Sequence, residues 1–186
     1  RFLRLHWQEA KLPQNFQIID SDDQQRLIKR LLKNLELDES RWVPREIQYF
    51  INAQKDEGLR PQHIDDDNDP QRRQFIALYK SYQDVCERGG LVDFAELLLR
   101  AFELLRDNAA MREHYQSRFR QVLVDEFQDT NSIQYNWLKL FAGDAQGCAS
   151  VAGGRTPGAT GHKNLFVVGD DDQSIYGWRG ALVDNI

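Results

Sequence analysis

Two short apolar segments in the second half of the chain constrain its fold more than any other feature. Residues 121–124 and 165–168 are mainly apolar runs of strand length, and residues 132–141 between them show helical spacing. Continuous apolar runs of this kind are typical of strands that are covered on both faces. A strand, a helix and a strand in this order predict a parallel α/β sheet. Because two strands do not make a stable sheet, we expect its other strands to lie outside this chain.

The first ninety residues show instead the pattern of helices separated by proline and glycine. Apolar residues repeat at helical spacing, which predicts helices over about 1–10, 21–35, 44–58 and 70–90. The second helix starts with Ser21-Asp22-Asp23-Gln24, which matches a capping box with Ser21 as the cap and Gln24 as its partner. Together these segments predict a small helical bundle.

The pattern changes at the end of this helical part. Asp93-Phe94-Ala95-Glu96 is a second capping box, and it opens a leucine-rich helix that we expect to end near Arg106. Residues 145–163 are rich in glycine, alanine, serine and threonine, which is typical of a flexible surface insertion. We therefore expect a helical part over residues 1–90 and an α/β part over residues 91–186.

Composition limits the class of protein. Hydrophobic residues make up 41% and charged residues 28% of the chain, which excludes a disordered tail, a collagen-like fibre and a disulfide scaffold. The sequence has no signal peptide pattern and no apolar run of the roughly 20 residues that cross a bilayer.

Cys86 and Cys148 lack metal-ligand spacing, so we expect a protein of the reducing cytoplasm. The net charge of −5 disfavours coating of DNA by bulk positive charge, although a local basic groove stays open.

The first strand candidate ends in two adjacent acids, Asp125 and Glu126. In open α/β sheets, ligands bind at the carboxyl ends of the strands. Adjacent acids at that edge can divide the work of nucleotide hydrolysis, because one can hold Mg²⁺ while the other orients and deprotonates the attacking water. The alternative is a structural role, in which both acids cap the next helix or lie in solvent.

The second strand candidate is followed by a polar segment, residues 169–180, which we expect at the same edge of the sheet. Gln173 could sense a terminal phosphate, and Arg179 could pair with a phosphate or with an acid. Tyr176 and Trp178 are suited to stacking on unpaired bases, at about 1–3 kcal/mol each. The alternatives are a solvated turn for the aspartates of this segment and a place in the core for Trp178.

Two long sequence motifs carry a resemblance to a known family. DEFQDTN-x-IQY at residues 125–135 and VVGDDDQSIYGWRGA at residues 167–181 resemble motifs II and III of the UvrD/Rep family of superfamily 1 DNA helicases. QKDEGL at residues 54–59 and GLVDFAELL at residues 90–98 resemble the stretch that precedes motif II in that family. The resemblance covers most of the chain except the insertion at residues 145–163.

The resemblance implies a fold and an activity. Members of the family are ATP-driven 3′→5′ single-stranded DNA translocases with two RecA-like domains, each of which carries an inserted subdomain. On that template, residues 91–186 form a partial RecA-like parallel sheet of the P-loop NTPase type, and residues 1–90 form an inserted, mainly helical subdomain. The implied cofactors are ATP and Mg²⁺, and the implied partners are single-stranded DNA, duplex junctions and DNA-repair proteins, with no membrane. The implied setting is DNA repair at the nucleoid, in the bacterial cytoplasm.

The motif match also implies roles for single residues. These are Mg²⁺ binding for Asp125, general base for Glu126, γ-phosphate contact during catalysis for Gln173, stacking on single-stranded bases for Tyr176 and Trp178, and nucleotide contact with coupling to DNA for Arg179.

The chain lacks a phosphate-binding loop of the form G-x-x-x-x-G-K-[ST]. Residues 153–158 have the right glycine separation, but in Ala159-Thr160, which follows, alanine stands where the lysine is required. The chain begins at Arg1 within a helical pattern, and its only methionine is Met111. We therefore expect a piece of a longer protein, with the phosphate-binding lysine before Arg1 and the second RecA-like domain after Ile186. We expect no ATPase activity from this piece alone.

Two other functions stay open. One is a metal-dependent nuclease or phosphatase, which would cut its substrate with metal alone. Its metals would be gathered by Asp125, Glu126, Asp129 and Asp170–Asp172. The other is a docking or DNA-gripping module, although residues 1–60 contain 11 Lys and Arg against 10 Asp and Glu, which is no basic patch by composition. A salt-sensitive affinity for single strands would favour gripping.

Overall fold

The computed structural model describes residues 1–119, 121–142 and 165–169. In these residues the helices are α1 Phe2–Leu5, α2 Ser21–Asn34, α3 Pro44–Asp56, α4 Pro70–Gly89, α5 Phe94–Asp107, α6 Ala109–Arg118 and α7 Ser132–Ala142. The strands are β1 Gln17–Ile18, β2 Leu91–Val92, β3 Val122–Val124 and β4 Leu165–Val167, and single turns of 3₁₀ helix lie at Pro61–His63 and Phe127–Asp129. The chain divides into two compact units, Arg1–Arg100 and Ala101–Ile186.

In the first unit, α2, α3 and α4 pack around one apolar core. The side chains at its centre are fully buried, and they include Ile28, Leu32, Ile47, Ile51, Leu78, Tyr79 and Tyr82. They recur at spacings of three and four residues, so that each helix presents one apolar face to the others. The predicted helices over residues 21–35, 44–58 and 70–90 are confirmed, with ends that differ by one or two residues.

The ends of α3 and α4 follow their sequence signals. Both helices begin with proline, whose fixed φ and missing N–H suit the first turn. Helix α4 ends before Gly90, whose φ of 61° is left-handed. A Cβ on residue 90 would also lie 2.9 Å from Cγ of Pro13, so backbone conformation and close approach both favour glycine there.

The predicted capping box at the start of α2 is wrong by one residue. Asp20 is the cap, because its Oδ1 accepts a hydrogen bond from the Asp23 N–H at 2.8 Å. A carboxylate at this position also interacts favourably with the helix dipole. Ser21 is the first helical residue, and its hydroxyl accepts a hydrogen bond from Nε2 of Gln48 at 3.0 Å. Gln24, the predicted partner, also accepts from Gln48 and so joins α2 to α3.

The first unit also contains a strand pair that the sequence pattern does not predict. Strand β1 pairs in parallel with β2, with Gln17 opposite Leu91. Two residues are too few to show alternation, so only the pairing reveals the strand. The helix predicted over about 1–10 is limited to Phe2–Leu5, and turns continue from it to Lys11.

In the second unit, β3 and β4 pair in parallel, with Val122 opposite Leu165. This confirms the two predicted strands, their parallel order and the helix α7 between them. The prediction that both faces of these strands are buried is wrong for the described residues, since Leu123 is 77% exposed and Phe166 is 58% exposed. Each strand has one partner in this part of the chain, which is too little to cover its apolar side chains. Of the RecA-like sheet that the resemblance implies, the described residues of this unit form this one strand pair.

No helix within the described ranges is both long enough and apolar enough to span a membrane. The predicted insertion at residues 145–163 and Cys148 lie outside the described residues.

Candidate functional site

The two adjacent acids lie where β3 ends. Asp125 and Glu126 follow Val124 directly, and both side chains are exposed. Hydrogen bonding between the two segments continues beyond the strands, because the Val168 N–H donates to the Val124 carbonyl at 2.8 Å and the Phe127 N–H donates to the Val168 carbonyl at 3.0 Å. These bonds tie the acidic turn to the carboxyl end of β4. The acids therefore lie at the carboxyl end of a parallel strand pair, as the sequence pattern predicts.

The backbone at Glu126 is left-handed, with φ 53° and ψ 43°. This conformation is uncommon for a residue with a Cβ and costs about 1–3 kcal/mol. Two contacts hold it: Oδ1 of Asp125 accepts from the Glu126 N–H at 3.0 Å, and the Glu126 carbonyl accepts from the Asp129 N–H at 3.0 Å. Four other residues with a Cβ in the described part of the chain also have positive φ. The conformation therefore defines the shape of this turn and does not by itself mark a functional site.

Gln128 contacts the second of the two acids and was not predicted as a site residue. Its side chain is buried, and its Nε2 donates to Oε2 of Glu126 at 2.6 Å. A Cβ on Gly169 would lie 2.5 Å from Oε1 of Gln128 and 3.3 Å from its backbone nitrogen. Glycine at 169 thus makes room for the Gln128 amide. In the sequence, Gln128 is only a polar residue after Phe127, in the segment that follows the first strand candidate.

Asp129 differs in its surroundings from the two exposed acids. Its Oδ1 is buried and accepts no hydrogen bond in the described part of the chain. Across residues 1–119, 121–142 and 165–169, no three His, Cys, Asp or Glu side chains are grouped closely enough to hold a metal ion. The acids Asp125, Glu126 and Asp129 therefore do not form the set that the nuclease alternative needs, as far as the described residues go.

The helix after the acidic turn has its own cap. The Gln134 N–H donates to Oδ1 of Asn131 at 3.0 Å, and the Asn131 N–H donates to Oε1 of Gln134 at 3.1 Å. This reciprocal pair satisfies the start of α7. Asp125 and Glu126 therefore do not cap α7, which excludes one of the two structural alternatives for them. The other, that both acids lie in solvent, agrees with their exposure and stays open.

The first unit holds a buried group of charged side chains that the sequence pattern does not reveal. We call it the buried ion cluster, and it consists of Lys55, Arg60, Asp93, Glu96 and Arg100. Nζ of Lys55 lies 2.7 Å from Oδ2 of Asp93 and 3.0 Å from Oε2 of Glu96. Glu96 also lies 2.9 Å from Nη1 of Arg60 and 2.6 Å from Nε of Arg100. The cluster joins α3, the segment after it and the start of α5.

The second predicted capping box is half right because of this cluster. Asp93 caps α5, since its Oδ1 accepts from the Glu96 N–H at 2.8 Å, and its Oδ2 accepts from the Tyr82 hydroxyl at 2.8 Å. The Glu96 carboxylate binds Lys55 and the two arginines instead of serving the cap. Buried positive charges compensate a buried carboxylate better than a backbone amide does, which explains the difference.

The charges of the cluster shift each other's pKa. Burial alone would raise the pKa of Glu96, but Lys55, Arg60 and Arg100 outweigh burial and lower it to about 2. Burial alone would lower the pKa of Lys55, but the two carboxylates outweigh burial and raise it. Both groups are therefore charged at neutral pH. Nearby, burial raises the pKa of the Cys86 thiol to about 11, so that this thiol is protonated and unreactive.

The residues expected from the second motif are Gln173, Tyr176, Trp178 and Arg179, together with the acids Asp170–Asp172. All of them lie outside the described residues, so their positions and roles stay predictions.

Comparison with known proteins decides the family. The family model of the UvrD/REP helicase N-terminal domain matches residues 1–186. The chain belongs to this family. It is 53% identical over 186 residues to DNA helicase II of Salmonella typhimurium and to DNA helicase II of Escherichia coli, and each comparison covers 100% of the chain and 24% of the relative. It is 36% identical over 187 residues to the ATP-dependent DNA helicase PcrA of Staphylococcus epidermidis, covering 100% of the chain and 23% of the relative.

Membership of the UvrD/REP family confirms the resemblance that the motifs carry, and the chain spans about a quarter of the length of these curated relatives. Two of the segments behind that resemblance, residues 54–59 and 90–98, meet in the buried ion cluster. Lys55 comes from the first segment, while Asp93 and Glu96 come from the second. In this UvrD/REP chain, these segments thus include residues that hold the first unit together.

Proposed function

We propose that this chain is part of an ATP-driven 3′→5′ DNA helicase, and that the turn after β3 is where the nucleotide is hydrolysed. The main support is one observation: two exposed acids lie at the carboxyl ends of hydrogen-bonded parallel strands, in a chain of the UvrD/REP family. Its relatives are named DNA helicase II and PcrA. Because the chain covers 24% of DNA helicase II, the activity is that of a whole protein.

Asp125 fits the requirements of a Mg²⁺ ligand. Mg²⁺ prefers oxygen ligands and keeps several waters, so one or two carboxylates suffice beside nucleotide phosphates. The Asp125 carboxylate is exposed, and among the described residues its only hydrogen bond is from the Glu126 N–H to Oδ1. Oδ2 is thus left for a ligand. When bound with ATP, Mg²⁺ neutralises charge on the phosphates that react.

Glu126 is the general base in this proposal. Its carboxylate is exposed next to Asp125, and Gln128 binds Oε2. Oε1 is left to accept a hydrogen bond from the attacking water and then to take its proton. A base in this position contributes about 10²–10⁴-fold to the rate.

The second motif supplies the remaining roles. In the proposal Gln173 contacts the γ-phosphate, Tyr176 and Trp178 stack on single-stranded bases, and Arg179 contacts the nucleotide and couples it to DNA. The support is the motif match together with family membership. Loss of the γ-phosphate would then be sensed next to the segment that grips DNA.

The domain plan and the setting are also part of the proposal. Residues 1–90 form a helical insertion, and residues 91–186 belong to the first RecA-like ATPase domain. The protein works on single-stranded DNA and duplex junctions in DNA repair, with other repair proteins, at the nucleoid in the bacterial cytoplasm. Residues 1–186 alone hydrolyse no ATP, since they contain no G-x-x-x-x-G-K-[ST] loop.

The test is nucleotide dependence. The full-length protein that contains this chain is incubated with a tailed duplex and Mg²⁺, with and without ATP. A helicase separates the strands only with ATP, and its ATP hydrolysis rises with single-stranded DNA. Cleavage of the DNA with metal alone would contradict the proposal and support the nuclease alternative.

A further inference from the structure

The contact between Gln128 and Glu126 is built from a buried donor and an exposed acceptor. The Gln128 side chain is 1% exposed, and its Nε2 lies 2.6 Å from Oε2 of Glu126. An exposed glutamate has three rotatable side-chain bonds and samples many orientations. A hydrogen bond from a fixed donor removes much of that freedom. The Glu126 carboxylate, which is proposed to take a proton, is therefore held in place by the uncharged amide of Gln128.

The donor itself is fixed from two sides. Phe127, the residue before it, is buried and its N–H donates to the Val168 carbonyl at 3.0 Å. On the other side the Gln128 amide lies against Gly169, where a Cβ would come within 2.5 Å of Oε1. The parallel pairing of β3 with β4 brings these two segments together. The position of the Gln128 amide thus depends on both strands.

We propose that Gln128 is a positioning residue for ATP hydrolysis, which holds the Glu126 carboxylate in the orientation needed to activate water, and that Gly169 is required because it leaves room for the Gln128 amide. The inference rests on the proposed function of Glu126. Its physical basis is that a displacement of about 1 Å in a reacting group can lower a rate by about 10²-fold. Gln128 acts through Glu126 and itself touches neither water nor nucleotide.

The test uses the full-length protein and the variant Gln128→Met, which keeps the size of the side chain and removes the donor. We expect kcat for ATP hydrolysis to fall by about 10-fold to 10²-fold, while the KM for ATP and the affinity for a non-hydrolysable ATP analogue stay the same. The matched control is Gln116→Met, which removes a glutamine that donates to the Leu140 carbonyl in the same unit. This control should leave kcat unchanged.

A double variant separates positioning from a structural role. If Gln128 acts only through the Glu126 carboxylate, then Gln128→Met should cause no further loss of single-turnover rate in a Glu126→Gln background. An equal loss in both backgrounds would overturn the inference, and so would a wild-type kcat in the single variant. Normal hydrolysis by Glu126→Gln alone would overturn the proposed function, and the inference would fall with it.

Gly169→Ala gives an independent test if Gln128→Met does not fold. The added methyl group would lie 2.5 Å from Oε1 of Gln128, so the amide must shift, and we expect its hydrogen bond to Glu126 to weaken. We expect a loss of kcat with unchanged binding of the ATP analogue, and again no further loss in the Glu126→Gln background. A wild-type kcat for Gly169→Ala would contradict the inference.

Discussion

Nζ of Lys55 lies 2.7 Å from Oδ2 of Asp93, and both side chains are almost completely buried although 38 positions separate them in the chain. The pair joins the last turn of α3 to the residue that caps α5. Glu96, one turn into α5, binds the same ammonium group at 3.0 Å. The first unit is thus held together by ionic contacts as well as by its apolar core.

Loss of Lys55 should destabilise the first unit strongly. Lys55→Met leaves two buried carboxylates with one positive partner fewer, and breaking a buried pair in this way costs about 3–5 kcal/mol. Chemical unfolding of the chain measures the change. The control is Lys29→Met on the exposed face of α2, which should change the free energy of unfolding by less than about 0.5 kcal/mol. Equal effects of the two changes would contradict the account of the cluster.

Glu96 should make stability depend on pH in the acid range. Its pKa is lowered to about 2 from an ordinary value of 4.5, so the folded protein binds the proton less readily than the unfolded chain does. The resulting stabilisation is complete above pH 4.5 and is lost as the pH falls toward 2. Urea unfolding between these values should show a smaller pH dependence for Glu96→Gln than for wild type. The exposed control Glu39→Gln, outside any helix, should keep the wild-type slope, and an unchanged slope for Glu96→Gln would contradict the prediction.

Two glycines with left-handed backbone should differ in their tolerance of alanine. At Gly90 a Cβ would lie 2.9 Å from Pro13, whereas at Gly58 it would meet nothing within 4 Å. Both substitutions carry the conformational cost of a positive φ, about 1 kcal/mol. We expect Gly90→Ala to cost clearly more than Gly58→Ala in thermal unfolding. The reverse order would show that the approach of Pro13 does not constrain this position.

Trp178 should matter for DNA more than for the nucleotide. A base-stacking role predicts that Trp178→Ala lowers DNA-stimulated ATP hydrolysis by the full-length protein more than basal hydrolysis. The matched change Trp137→Ala removes a tryptophan of α7, and it should show no such preference for the DNA-stimulated rate. If Trp178→Ala lowers both rates equally, the side chain belongs to the core.

Local signals in the sequence predict the elements of this fold well. Proline at the start and glycine at the end define α3 and α4, and the order of strand, helix and strand predicts the parallel pairing of β3 with β4. The strand β1 escapes prediction because two residues carry no period. The cap of α2 is misplaced because Asp20 and Ser21 are both good caps and only the structure selects between them.

The sequence predicts only part of the candidate site. It predicts the position of the acids after β3, because they follow an apolar run. It does not predict the contact between Gln128 and Gly169, since 41 positions separate them and only strand register brings them together. The buried ion cluster is equally hidden, because charged residues usually predict exposure and their partners lie far away in the chain.

ATP hydrolysis by the full-length protein, with and without single-stranded DNA, tests the central claim most directly when wild type is compared with Glu126→Gln. We predict strong stimulation by DNA in wild type, and a rate about 10²–10⁴-fold lower in Glu126→Gln although the variant still binds a non-hydrolysable ATP analogue. Hydrolysis by Glu126→Gln at the wild-type rate would contradict the assignment of the base, and a wild-type rate indifferent to DNA would contradict the translocase.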